Sequence, residues 1–129
     1  MTKTADTGLL GRYWSSDDAF VRTIEEVVSS HLADADFGTD QVASIAGISR
    51  MHLNRKLRAL TGQSTREFIR TIRLEHSSTL LQQKSYRVSD VARQVGFRSL
   101  SHFAKVFRKQ FGVTPSKYQR CRSSSTSRV

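Results

Sequence analysis

A chain of 129 residues has room for one domain, or for two very small ones sharing a core, which excludes a large multidomain enzyme. Hydrophobic residues at 37% and charged residues at 25% are ordinary for a globular protein, while one proline and seven glycines leave little for a turn-rich β architecture, so an all-α fold is expected. The net charge of +10 favours an anionic partner, and it is segregated: residues 1–48 carry three Lys/Arg against eight Asp/Glu, a net of −5, whereas residues 49–129 carry eighteen against three, a net of +15.

The single cysteine, Cys121, excludes an internal disulfide and a Cys-rich zinc site, which fits a reducing, intracellular setting. No apolar run approaches the ~18–20 residues that cross a bilayer, and Leu9-Leu10 is too short for the core of a signal peptide. In chain order, residues 1–16 are polar and expected to be disordered. Ser15, Ser16 and Asp17 then offer caps for a helix whose apolar face is Phe20, Ile24, Val27, Val28, His31 and Leu32. Asp34 to Gly38 break it, and Thr39 can cap a short helix carrying Val42, Ala43 and Ile45 that stops near Gly47. Ser49 caps the next, which runs through Leu53, Leu57 and Leu60 to Gly62. Ser64-Thr65-Arg66-Glu67 is a capping box opening a longer helix to about Gln82, with Phe68, Ile69, Ile72, Leu80 and Leu81 as buried contacts. After Lys84 to Arg87 the pattern starts again. It closes with Thr114-Pro115 as cap and first residue of a short helix to about Gln119, before a Ser/Arg-rich tail expected to be disordered.

The second half repeats the first. Val42-Ala43-x-x-Ala46-Gly47-Ile48 recurs as Val91-Ala92-x-x-Val95-Gly96-Phe97 at an offset of 49; thereafter the offset is 50, pairing Leu53 with Phe103, Leu57 with Phe107, Arg58 with Arg108, Gly62 with Gly112, Ser64 with Thr114 and Phe68 with Tyr118. In each copy a small residue stands four before a glycine, and a large apolar residue follows six or seven later. That is helix-turn-helix spacing: alanine lets the helices approach, glycine takes the tight turn, and Leu53 or Phe103 plugs the second helix into the core. A generic helical hairpin is the plainer reading of one copy, and two copies each with a basic second helix argue against it.

With Leu53, Leu57 and Leu60 inward, the first of these helices turns Arg50, Met51, Asn54, Arg55 and Arg58 outward. Arg and Asn bond guanine and adenine edges bidentately, and Met51 suits a thymine methyl. With Phe103, Val106, Phe107 and Phe111 inward, the second turns out Leu100, Ser101, Ala104, Lys105 and Arg108, a shorter and more apolar face, so the first helix is expected to dominate specificity. Lys56, Lys109, Arg98 and His102 complete the expected phosphate contacts with Arg50, Arg58 and Arg108; a merely solvated face is the competing reading. About eighteen residues of joining helix span ~27 Å, which with the flanking turns suits two reading helices one duplex turn, ~34 Å, apart.

The stretches Gly47-Ile-Ser-Arg-Met-His-Leu-Asn-Arg-Lys-Leu57, Phe68-Ile-Arg-x-x-Arg-Leu74, Val91-Ala-x-x-x-Gly-Phe97, Phe103-x-x-x-Phe-Arg-Lys-x-Phe-Gly112 and Thr114-Pro-Ser-x-Tyr118 resemble the AraC/XylS-type DNA-binding domain over residues 17–120. The resemblance implies a seven-helix, two-lobed transcriptional regulator whose third and sixth helices enter adjacent major grooves, usually to recruit RNA polymerase, and hence an activator. It places base contacts on Met51, Asn54 and Arg55 and on Leu100, Ser101, Ala104 and Lys105. Ser77 and Ser78 stand where the family's linker is commonly alanine-rich. Ser16-Asp-Asp-Ala-Phe20 with Leu60-Thr-Gly-Gln-Ser64 is similar to output domains of hybrid two-component regulators, so either a stand-alone regulator or a domain of a longer chain is expected.

The expected organisation is a disordered segment 1–16, a first lobe 17–62, a linker helix 63–83, a second lobe 84–120 and a tail 121–129, with reading helices at about 49–60 and 99–111. Duplex DNA is the expected partner, engaged by a monomer in the cytoplasm at the nucleoid, with no cofactor, metal or membrane. An enzyme is disfavoured: no phosphate-cradling glycine motif or HExxH occurs, Glu25 and Glu26 diverge as helix neighbours, and His52 and His102 follow from the repeat. The alternative is a non-specific nucleoid-coating or RNA-binding protein, against which the Phe residues count, since they fall at core spacing and form no stacking platform.

Overall fold

The computed structural model describes residues 17–83 and 85–120. Ser15, Ser16, the segment 1–16 and the tail with Cys121 lie outside the described residues. Among the described residues every regular element is a helix: α1 (Asp17–Ser29), α2 (Thr39–Ala46), α3 (Arg50–Thr61), α4 (Thr65–Leu81), α5 (Val88–Gln94), α6 (Leu100–Phe111) and α7 (115–120). The fold is the expected one, two helix-turn-helix subdomains joined by a linker helix. The chain divides into two compact units, Met1–His31 with Asp36–Ile72 and Leu32–Ala35 with Arg73–Val129, so the division falls inside α4.

In the first unit α1 buries Phe20, Ile24 and Val28, one residue per turn, and carries Asp17 and Asp18 in its first turn, where acidic groups complement the helix dipole. It ends at Ser29, and the Ser30 hydroxyl bonds back to the Glu26 carbonyl at 2.6 Å. His31 and Leu32, expected to extend its apolar face, therefore lie beyond it. His31 is exposed and stacks on Phe37 with ring centroids 4.1 Å apart, while Leu32 belongs to the second unit. The start of α2 also differs from expectation. Gly38, not Thr39, is its N-cap, because the Gln41 side chain reaches back to accept the Gly38 N–H at 2.9 Å. The pairwise packed α1, α2 and α3 enclose Val42, Ala43, Ala46, Leu53 and Leu57, with Phe68, Ile69 and Ile72 of α4 also buried. Each fully buried Leu or Phe side chain stabilises the fold by about 1.5–3 kcal/mol.

The second unit is built on Leu74 and Leu81 of α4 with Val91, Ala92, Val95, Phe103 and Phe107. Its aromatic side chains form a ladder: Phe97 to Phe103 at 5.1 Å, Phe103 to Phe107 at 5.6 Å and Phe107 to Phe111 at 4.5 Å, with Tyr118 edge-on to Phe107 at 5.3 Å. Tyr118 thereby docks α7, whose start is capped by Thr114 Oγ1 accepting the Lys117 N–H at 3.2 Å. Gln119 adds a bond from Nε2 to the Tyr86 carbonyl at 2.8 Å. Leu60, Leu80, Val106 and Phe111, expected inward, are only half-buried. Ser77 is fully buried, and its hydroxyl donates to the Leu74 carbonyl at 2.6 Å, which satisfies the polar atom the alanine-rich pattern lacks.

Candidate nucleic-acid interface

The two helix-turn-helix units share the turn and cap bonds that aim the second helix, although the second turn has one more residue between its glycine and its capping serine. Gly47 at φ 77° and Gly96 at φ 89° take the left-handed turn between the helices. Behind each, the next amide returns to the small residue of the first helix, Ile48 N–H to the Ala43 carbonyl at 3.2 Å and Phe97 N–H to the Ala92 carbonyl at 2.8 Å. Ser49 then caps α3 by accepting the His52 N–H at 3.0 Å, and Ser99 caps α6 by accepting the His102 N–H at 3.1 Å. Gly62 and Gly112 end them in the same way, their amides bonded to the Arg58 and Arg108 carbonyls at 2.9 and 2.7 Å. The result is two 12-residue helices with matched start, stop and inward face.

On α3, Leu53 and Leu57 are fully buried, while Met51 (74% exposed), Arg55 and Arg58 stand out on one side. Arg50 is held by Asp40 of α2 at 2.9 Å in an exposed ion pair, worth about 0–1 kcal/mol and so readily exchanged for another anion. Lys56 lies off that face, its ammonium 5.1 Å from the centroid of the Phe20 ring in α1. Asn54 is half-buried, and its Oδ1 accepts the Thr65 N–H at 2.9 Å. On α6, Phe103 and Phe107 are fully buried; Leu100 (48% exposed), Ser101, Lys105 and Arg108 are exposed and Ala104 half-buried beside them. His102 is exposed with its ring tilted against Phe97 at 5.9 Å. Arg98 in the preceding turn and Lys109 near the end are exposed as well.

Two supporting groups escaped the sequence reading. Arg73, 6% exposed, places Nη1 on the Leu32 and Val95 carbonyls at 2.6 and 2.7 Å and Nη2 on the Asp34 carbonyl at 3.1 Å. Burial lowers its pKa and the Asp34 charge opposes that. Because Val95 is the C-cap of α5, the guanidinium pins the turn that leads into α6. Its neighbours one turn away on the helix, Ile69, Arg70, His76 and Ser77, are mixed in character, so no local pattern singles it out. The other is Ser99, which an offset of 50 from Ser49 would have found.

A family model described as a helix-turn-helix domain matches residues 42–121. The chain is 33% identical over 104 residues to regulatory protein SoxS of Salmonella typhimurium, covering 81% of this chain and 96% of that one. It is 34% identical over 105 residues to histidine kinase P4 of Formosa agariphila, covering 81% of this chain but spanning only 8% of that protein; of three further curated relatives it spans 28–32% of the length. The solved DNA-binding domain of AdpA, a global transcriptional factor in complex with a target DNA, superposes with a TM-score of 0.73 at 28% identity, covering 81% of this chain and 94% of that one. Duplicated turns, matched second helices and these likenesses agree: the chain belongs to the AraC/XylS-type helix-turn-helix family.

Proposed function

We propose that the chain binds duplex DNA sequence-specifically as a transcriptional regulator, with α3 and α6 each reading one half-site in a major groove. One observation carries the reading. The large apolar side chains exposed among the described residues are Met51 and Leu100, and they stand in the first turns of these two helices, each among cations. A thymine methyl and its neighbouring phosphates would cover that combination, whereas a phosphate-coating surface has no use for the apolar member.

In this reading Arg55 bonds a guanine edge, Met51 and Leu100 touch thymine methyls, and Ser101, Ala104 and Lys105 make the remaining base contacts. Arg50, Lys56, Arg58, Arg98, His102, Arg108 and Lys109 hold phosphates. One chain fills both half-sites as a monomer at the nucleoid and, as the family resemblance implies, activates transcription by recruiting RNA polymerase.

Selection of duplex sites from a random pool tests this: two short motifs at a fixed spacing are expected, and absence of enrichment favours the coating protein. Arg55→Ala is expected to weaken the selected site by about 1–3 kcal/mol and relax one base pair, while Lys109→Ala weakens all sequences alike. Equal losses on selected and random duplex for Arg55→Ala would remove its base-reading role.

A further inference from the structure

We propose that Asn54 is a positioning residue that fastens α3 to the start of α4, leaving base reading in the first unit to Met51 and Arg55. The inference rests on α3 being a DNA-reading helix. Thr65 is the first residue of α4, so its amide is one of those that no carbonyl of its own helix can accept. Thr65 is 1% exposed, which keeps water from that amide. Asn54 Oδ1, 2.9 Å away, is its acceptor. Bidentate reading of adenine uses Oδ1 and Nδ2 of one carboxamide side by side on the base edge, and here Oδ1 is turned to the protein instead.

The internal repeat carries the argument further. At the offset of 50, Asn54 corresponds to Ala104 and Thr65 to Pro115. Pro115 is likewise the buried first residue of a helix that follows a capping hydroxyl, Thr114 in place of Ser64. Proline has no N–H, and alanine has no acceptor. The acceptor is therefore present in the copy that has the buried amide and absent in the copy that lacks it. A base-reading role for Asn54 does not account for that pairing; a junction between reading helix and following helix does.

Asn54→Ala, Asn54→Asp, Thr65→Pro and the double variant Asn54→Ala/Thr65→Pro of the full chain test it. The double variant converts the first junction to the chemistry of the second, and it forfeits no hydrogen bond of the Thr65 side chain, whose buried Oγ1 has no partner. Asn54→Ala is expected to lower the folding equilibrium constant about 5- to 100-fold, the effect of orphaning a buried amide, and to accelerate hydrogen exchange at Thr65. At a temperature where it remains folded, it binds the selected duplex more weakly with every base preference unchanged. Asn54→Asp keeps the Thr65 amide protected, and the double variant recovers both stability and affinity.

Unchanged exchange at Thr65 in Asn54→Ala overturns the proposal. So does a loss of stability with DNA affinity intact, which would make the junction merely structural, or a lost base preference that persists in the double variant, which would make Asn54 a reader. A wild-type chain with no base preference overturns the DNA-reading function itself, whatever the exchange at Thr65 shows.

Discussion

At the residue scale the four left-handed glycines are not equivalent. A Cβ at Gly112 would meet nothing within 4 Å, whereas at Gly96 it would collide with Arg73 Nη1 and the Leu32 carbonyl. Gly112→Ala is thus expected to cost only the left-handed backbone penalty, about 1–2 kcal/mol. Gly96→Ala adds the loss of charge-assisted bonds from a buried guanidinium, bringing its cost to about 3 kcal/mol or more. Urea unfolding of the two variants checks the difference, and similar costs would mean that Arg73 yields without loss. Glu67 offers a test by pH. Its pKa is lowered chiefly by the Ser64 backbone N–H; desolvation opposes this, and the Ser64 hydroxyl, Arg58 and Arg70 add to the lowering. A depressed folded-state pKa stabilises the fold above the unfolded value, ordinarily near 4.5, and that contribution is lost as pH falls through the folded value. Glu67→Gln is therefore expected to be less stable than the wild type at pH 7 and to converge with it well below pH 4.5.

At the element scale the caps decide how well each reading helix is aimed. Ser49→Ala and Ser99→Ala each remove one side-chain acceptor from a first-turn amide, an expected loss of about 1 kcal/mol apiece. In the DNA-reading function each fraying falls on its own half-site, so footprints of the two variants should weaken on opposite halves of the selected sequence. Most of these elements were legible in the sequence because their signals are local. Ser49, Gly62, the Ser64–Glu67 box and Thr114-Pro115 each act within a turn or two of the backbone they terminate. What was not legible is long in reach. Arg73 bonds carbonyls 22 to 41 residues away, and no periodicity announces which loops a buried cation will meet. Asn54 is an outward polar residue of the kind that suggests a base contact, and the N–H that its Oδ1 accepts belongs to a residue 11 positions on, across a turn. Gly38 precedes Thr39 as the cap for a smaller reason: Gln41 stands at the third position of a helix capped by Gly38, and from there its side chain reaches back to accept the Gly38 N–H.

At the scale of the whole molecule, charge and duplication make separable demands. The cations proposed for phosphates, Arg50, Lys56, Arg58, Arg98, Arg108 and Lys109, set a salt dependence whose slope in log affinity against log salt is expected near about −5, and Lys109→Ala should make it shallower by about 1. That slope is shared by selected and random duplex and carries no sequence information. In the proposed function, discrimination comes instead from two reading faces, with Arg55 in one unit and Lys105 in the other. Side chains with no common partner in the protein contribute independently unless the DNA couples them. The losses for Arg55→Ala and Lys105→Ala on the selected duplex are therefore expected to add to within about 0.5 kcal/mol in the double variant. Each single variant should relax preference in its own half-site only. A double variant no worse than either single would mean that the two faces compete for one stretch of DNA, and two half-sites read by one chain would have to be abandoned.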